Sequence, residues 1–144
     1  MATDHTLNAR HGASARNAVP RFFPTMRITV TLQALALLIQ SITAGFLLAS
    51  PDGRMLHGLT ALVVVFTGAI QLLVAILVWR PGGGPPRFII NSAFLLVLSM
   101  AEAAIGEAHA PELHVPLGVL LFGGSIVLLS QVWSQGRGSR AAAP

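Results

Sequence analysis

Four long apolar stretches dominate the chain, at residues 27–50, 55–79, 88–109 and 113–133. Each is roughly 20 residues or longer, enough to cross a hydrocarbon core of about 30 Å as a helix. Backbone groups in lipid must find partners within their own segment, which favours helices over open strands. The links between the stretches, SPDGRM, RPGGGPPR and HAPEL, are short. Short links make consecutive helices antiparallel neighbours. The pattern therefore predicts an all-α protein, an integral membrane up-down-up-down four-helix bundle over residues 27–133. Residues 1–26 are polar and mixed, with Arg10, Arg16, Arg21, Pro20 and Pro24, and read as a flexible cytoplasmic tail. Residues 134–144 read as a second one. The first stretch exceeds the 7–15 residues of a signal-peptide core and follows a long tail, so it reads as a span.

Composition narrows this further. Of 144 residues, 53% are hydrophobic and 10% charged, with mean hydropathy +0.71. Soluble domains carry about 25% charged residues, and a chain this short could not hide so much apolar surface from water. Cysteine is absent, which removes disulfides, thiolate metal sites and cysteine nucleophiles. Every basic residue is arginine, so lysine Schiff-base chemistry is excluded as well.

The sequence pI of 11.7 raises nucleic acid as a partner, but the arginine positions give another meaning. Arg10, Arg16, Arg21 and Arg27 precede the first stretch, Arg80 and Arg87 flank the middle link, and Arg137 and Arg140 follow the last stretch. In an up-down bundle all of these fall on one side, and only Arg54 falls on the other. That asymmetry predicts cytoplasmic termini in a multi-pass protein of the plasma membrane. Trp79 and Trp133 end the second and fourth stretches, where an interfacial aromatic belt is expected. No folded basic face is left for nucleic acid.

The chain reads as one helical hairpin written twice. Arg27, a span, an outer link, His57, a span and Trp79 are followed by Arg87, a span, an outer link, His114, a span and Trp133. The segments LHGLTALVVVF and LHVPLGVLLFG begin the two even-numbered spans. Ala61 and Gly118 lie four residues after the histidines, and Gly68 and Ser125 lie eleven after. Both offsets return to the histidine's face of a helix. Two imidazoles at one depth above grooves of small residues suit the two axial positions of a heme. Val64, Leu121 and Phe122 would fill the remaining space, and Arg54 could meet a propionate. A second heme would need ligands about four turns deeper, where Gln71 and Leu128 stand. Other readings stay open. The histidines are wet polar residues at an interface, or they join His109 in a zinc or copper site. The small residues then serve close helix packing.

Polar residues at membrane depth are costly and are functional candidates. Glu102 is the sharpest, and Ser99, Glu102, Gly106 and His109 share one helix face. Glu102 and His109 could couple protons to the site or support a histidine ligand from behind, or Glu102 could simply bond two helices. Gln33, Gln40, Gln71, Asn91 and Gln131 read as hydrogen-bonding glue between helices. No P-loop, dinucleotide fingerprint, nucleophile elbow or zinc-protease motif is present, so no catalytic residue is assigned. The glycines at 82–84 lie between prolines and read as a turn.

The topology, His57 and His114, and the contexts LHGLTA and LHVPLG resemble one four-helix half of a heme A synthase. The same segments resemble small four-span actinobacterial membrane proteins of unassigned function. Each half of a heme A synthase carries a histidine pair on its second and fourth helices, which implies heme b ligation by His57 and His114 and electron transfer near the extracytoplasmic face. The catalytic half has an ExxH pattern, and here Arg54 stands in the glutamate's place. The resemblance therefore implies the cofactor-holding half, and a homodimer would restore a two-half body. The alternative is a cofactor-free accessory subunit packed in a larger membrane complex. A small transporter is disfavoured, because the hairpins are parallel copies and no span is visibly broken.

Overall fold

The computed structural model describes residues 19–50 and 52–135, which are helical apart from short links. Four helices follow in order: α1 (Phe23–Ala49), α2 (Gly53–Trp79), α3 (Arg87–Glu107) and α4 (Pro111–Ser134). All four are long and apolar enough to cross a membrane, as expected of a multi-pass membrane protein. The outward surface agrees with that: Leu62, Phe66, Ile90 and Val119 are each more than 60% exposed. Lipid tails are as apolar as these side chains and impose no penalty on them.

The helix ends differ from the hydropathy boundaries for local reasons. Phe23–Met26 form the first turn of α1 rather than the end of a tail. Pro24 lies in that first turn, where its fixed φ suits a helix start. Phe23 and Met26 are buried, and Phe23 stacks on Phe88 with centroids 5.8 Å apart. Residues 1–18 and 136–144, the rest of both expected tails, lie outside the described residues. α3 stops at Glu107 because His109 adopts φ 56°. The His109 amide donates to the Gly106 carbonyl (3.1 Å) and the Ala110 amide to the Ile105 carbonyl (3.4 Å). These are the two bonds of a Schellman cap with His109 as its left-handed residue.

Each helix packs against two others in a closed ring: α1 on α2 and α4, α3 on α2 and α4. The two diagonals make no close backbone contact among the described residues. One end of the ring is solid. Met26, Ala75, Val78, Phe88 and Val132 are fully buried there. The other end, around the two histidines, is hollow.

All five amides expected to join helices do so. Thr67 donates to the Gln33 carbonyl oxygen, and Thr60 donates to that of Gln40, both between α1 and α2. Gln71 donates to Ser92 (3.1 Å) between α2 and α3, and Asn91 to Gln131 (3.3 Å) between α3 and α4. Interhelical bonds of this kind in lipid contribute about 0.6 kcal/mol on average and about 1.7 at most. Thr67→Val should therefore destabilise the protein by about 1 kcal/mol, read from unfolding in mixed detergent. The Gln33→Leu/Thr67→Val pair should lose no more than Thr67→Val alone, because it leaves no widowed amide.

Candidate functional site

His57 lies in the second turn of α2 and His114 in the first turn of α4. The diagonal placement of these helices brings the two rings together, with centroids 5.9 Å apart and planes at 77°. Both histidines line one cavity of about 230 Å³. Its walls come from Leu37, Gln40, Ser41 and Ala44 of α1, Ser99, Glu102 and Ala103 of α3, and the even helices. Ser41, Val115 and Val119 are exposed, so the cavity opens to the surface between α1 and α4.

Hydrogen bonding engages the Nδ1 side of each ring. His114 Nδ1 lies 3.2 Å from the Glu102 main-chain oxygen and 3.0 Å from its Oε1. A carbonyl oxygen only accepts, so Nδ1 carries a proton, and in the neutral ring Nε2 then keeps its lone pair. Among the described residues, no side chain or backbone group bonds His114 Nε2.

His57 Nδ1 lies 3.2 Å from Thr43 Oγ1. Thr60 spends its proton on Gln40, and Thr43 can place its own on Thr60 or on the Gln40 main-chain oxygen (both 2.9 Å). Thr43 is then free to accept from His57 Nδ1–H. The Gln40 amide nitrogen stands 3.3 Å from Nδ1 and 3.2 Å from Nε2. An atom that far from both nitrogens would overlap the ring carbons if it lay in the ring plane, so it sits over the ring face. The in-plane lone pair of Nε2 is not consumed. Both histidines thus have Nδ1 held from behind and Nε2 left over, the pattern of imidazoles oriented for ligation.

The other expected site residues divide. Ala61 and Gly118, one turn below each histidine, line the cavity together with Val64 and Leu121. Gly68 and Ser125 do not. Gly68 is buried, and a Cβ there would lie 3.3 Å from Leu96 and 3.5 Å from Gln33. Ser125 is buried and donates to the Phe122 carbonyl (2.7 Å). These two belong to the packed half of the bundle.

Glu102 reaches the site as the partner of His114, and Gly118 faces it, since a Cβ at Gly118 would lie 3.3 Å from Glu102 Oε1. His109 does not join the pair. It is the helix cap of α3, and its exposed ring accepts from Arg54 (3.3 Å). Arg54 is held by His109 rather than in the cavity wall. Among the described residues, no group of three or more His, Asp or Glu side chains could hold a metal ion.

Sequence reading left out four contributors: Gln40 as a cover of the His57 face, Thr43 and Thr60 as its relay, and Gly106. A Cβ at Gly106 would lie 2.8 Å from His114 Cε1, so the missing side chain is the seat of that ring. The spacing of Gly106 four residues after Glu102 was the available signal. Comparison with known proteins yields no match to this chain, whether with family models, curated proteins or solved structures.

Proposed function

We propose that this chain is a small membrane cytochrome module that holds one b-type heme between His57 and His114 near the extracytoplasmic face. The observation that carries this reading is the imidazole pair with centroids 5.9 Å apart on one cavity, each ring with Nδ1 engaged by the protein. Metal–imidazole bonds are about 2 Å long, so two rings flanking one ion have centroids about 6 Å apart. The donor chemistry therefore fits. The cavity of about 230 Å³ falls below the 300–1,000 Å³ usual for closed ligand sites, and it opens to the surface between α1 and α4.

A heme bound here supplies one-electron redox chemistry. The residues of the chain do the positioning. Thr43 and Glu102 fix the two ring tautomers, Gly106 leaves room for His114, and Ala61 and Gly118 give a flat approach below the ligands. Glu102 serves as the hydrogen-bonding support of His114. Arg54 and His109 form a separate contact at the same end.

In this reading the bundle runs up-down-up-down with both termini cytoplasmic in the plasma membrane. The contact pairs Gln33–Thr67 and Gln40–Thr60 support an antiparallel α1–α2 hairpin, since one number rises as the other falls. The arginine asymmetry supports the orientation. A homodimer would pair two such modules.

The test is a reduced-minus-oxidised spectrum of protein purified in detergent after expression with ample heme. A bis-imidazole low-spin spectrum is expected, and the His57→Ala/His114→Ala pair should abolish it. No Soret band, or a band indifferent to that pair, would sink the proposal. The alternative is a cofactor-free accessory subunit, in which Thr43, Thr60, Gln40 and His57 serve as a hydrogen-bonded cluster joining α1 and α2. That reading predicts folded, heme-free protein that crosslinks to a larger complex.

A further inference from the structure

The solid end of the bundle carries charge that the heme reading does not use. Arg21, Arg27, Arg80 and Arg87 gather there, and among the described residues no carboxylate pairs with any of them. The described acids, Asp52, Glu102, Glu107 and Glu112, all belong to the outer links or the outer halves of the helices.

The guanidinium groups are built onto aromatic faces. Arg27 lies 5.4 Å from the Phe23 ring centroid and 5.3 Å from that of Trp133. Phe23 stacks on Phe88, and Arg87 lies 5.2 Å over Phe88. A continuous run of stacked groups thus joins Arg27 to Arg87. Cation–π stacking occupies the face of a guanidinium and leaves its N–H edge free to donate. Arg27 Nε is buried and has no hydrogen-bond partner.

Nor do the helix ends absorb these donors. The last carbonyls of α2 are taken by the link's own amides: Arg80 N to Ile76, Gly82 N to Leu77, Gly84 N to Val78 and Gly83 N to Trp79, at 2.7–3.2 Å. The terminal guanidinium N–H groups of the half-buried Arg27 and the exposed Arg87 remain for an acceptor from outside the chain. They carry positive charge without a counter-charge in a segment next to lipid, which calls for an anion.

We infer that this end binds the phosphate of an anionic phospholipid, centred on Arg27 and supported by Arg87. Planar N–H edges match a phosphate oxyanion, whether it is carried by a lipid or free in solution. The surface selects the lipid. Ile28 and Ile90, adjoining the two arginines or one turn inside them, are 61% and 68% exposed. An acyl chain lying over them and a phosphate at the arginines satisfy both surfaces at once, and the inner leaflet is rich in such lipids.

The experiment follows thermal unfolding of the full chain in detergent at fixed ionic strength, with phosphatidylglycerol, phosphatidylcholine or inorganic phosphate added. Phosphatidylglycerol should raise Tm in a saturable way, and the other two should not. Arg27→Gln and Arg87→Gln should each raise the phosphatidylglycerol concentration needed by about fivefold, while Arg54→Gln at the far end should leave it unchanged. Because only the lipid-dependent increment is read, a variant that is itself less stable still reports. Native mass spectrometry of the same samples counts retained lipid where a variant unfolds too early to be read. Equal responses to the two lipids, an undiminished response in the Arg27→Gln/Arg87→Gln pair, or a response reproduced by inorganic phosphate would each overturn the inference.

Discussion

Gly106→Ala is expected to strip the heme-binding signature from a protein that still folds. The added methyl group would stand 2.8 Å from His114 Cε1 and 3.0 Å from Nδ1, closer than carbon contacts allow. The ring is the end of a rotatable side chain, so it moves and the helices stay. Moving it breaks the Nδ1 contacts to the Glu102 carboxyl and carbonyl and shifts the ring relative to His57. Loss of a supporting contact behind a metal ligand costs about 10–100-fold in affinity. Stability should hardly fall, because the overlap is with the end of a rotatable side chain and alanine suits a helical backbone at least as well as glycine. The readout is paired: heme content and spin state from the spectrum, and unfolding of the same sample. Gly123→Ala is the control, since a Cβ there meets nothing within 4 Å. An unchanged low-spin spectrum in Gly106→Ala would show that His114 is not seated as described.

The helices were legible in the sequence because a membrane span is written in length and hydropathy alone. The glue amides were legible too, since lipid offers a polar group no partner except another helix. What hydropathy could not supply is pairing. Gln33 and Gln40 are seven residues apart, and so are Thr60 and Thr67. Only the docking of α1 on α2 makes two rungs of them and places Gln40 over His57. Position in the repeat predicted two histidines at one depth, but not the limit of the groove below them. Gly68 and Ser125 share the histidine face on paper, yet the bundle closes around Leu96 and Gln33 before that depth. His109 shares a helix face with Glu102 in the sequence, which suggests that it points at the site. The left-handed cap of α3 takes it out of the helix and toward Arg54.

Gly53→Ala should show the opposite balance, a large loss of stability with no polar contact removed. Gly53 is the first residue of α2, packed where the chain has just left α1. A Cβ there would fall inside the carbonyl group of Phe46 and the amide of Leu47. Those atoms are backbone, so no rotamer relieves the overlap. The end of α1 must part from the start of α2, and the Ser50 amide bond to the Phe46 oxygen (3.0 Å) lies in the path of that movement. Overpacking a closed site typically costs 1–3 kcal/mol, and a backbone contact belongs at or above the upper figure, about 3 kcal/mol. Gly58→Ala, one turn further into the same helix, supplies the comparison. A Cβ at Gly58 meets nothing within 4 Å, so that variant should gain up to about 1 kcal/mol from helix propensity. The same chemical change five residues apart should thus move unfolding in detergent in opposite directions. A Gly53→Ala protein within about 0.5 kcal/mol of the parent, the usual range for neutral surface changes, would mean that the two helices do not meet this closely. His57 lies one turn beyond Gly53, so the same displacement should also widen the imidazole pair. The Gly53→Ala protein should therefore lose the low-spin heme spectrum at temperatures where its helical circular dichroism persists, while Gly58→Ala keeps both.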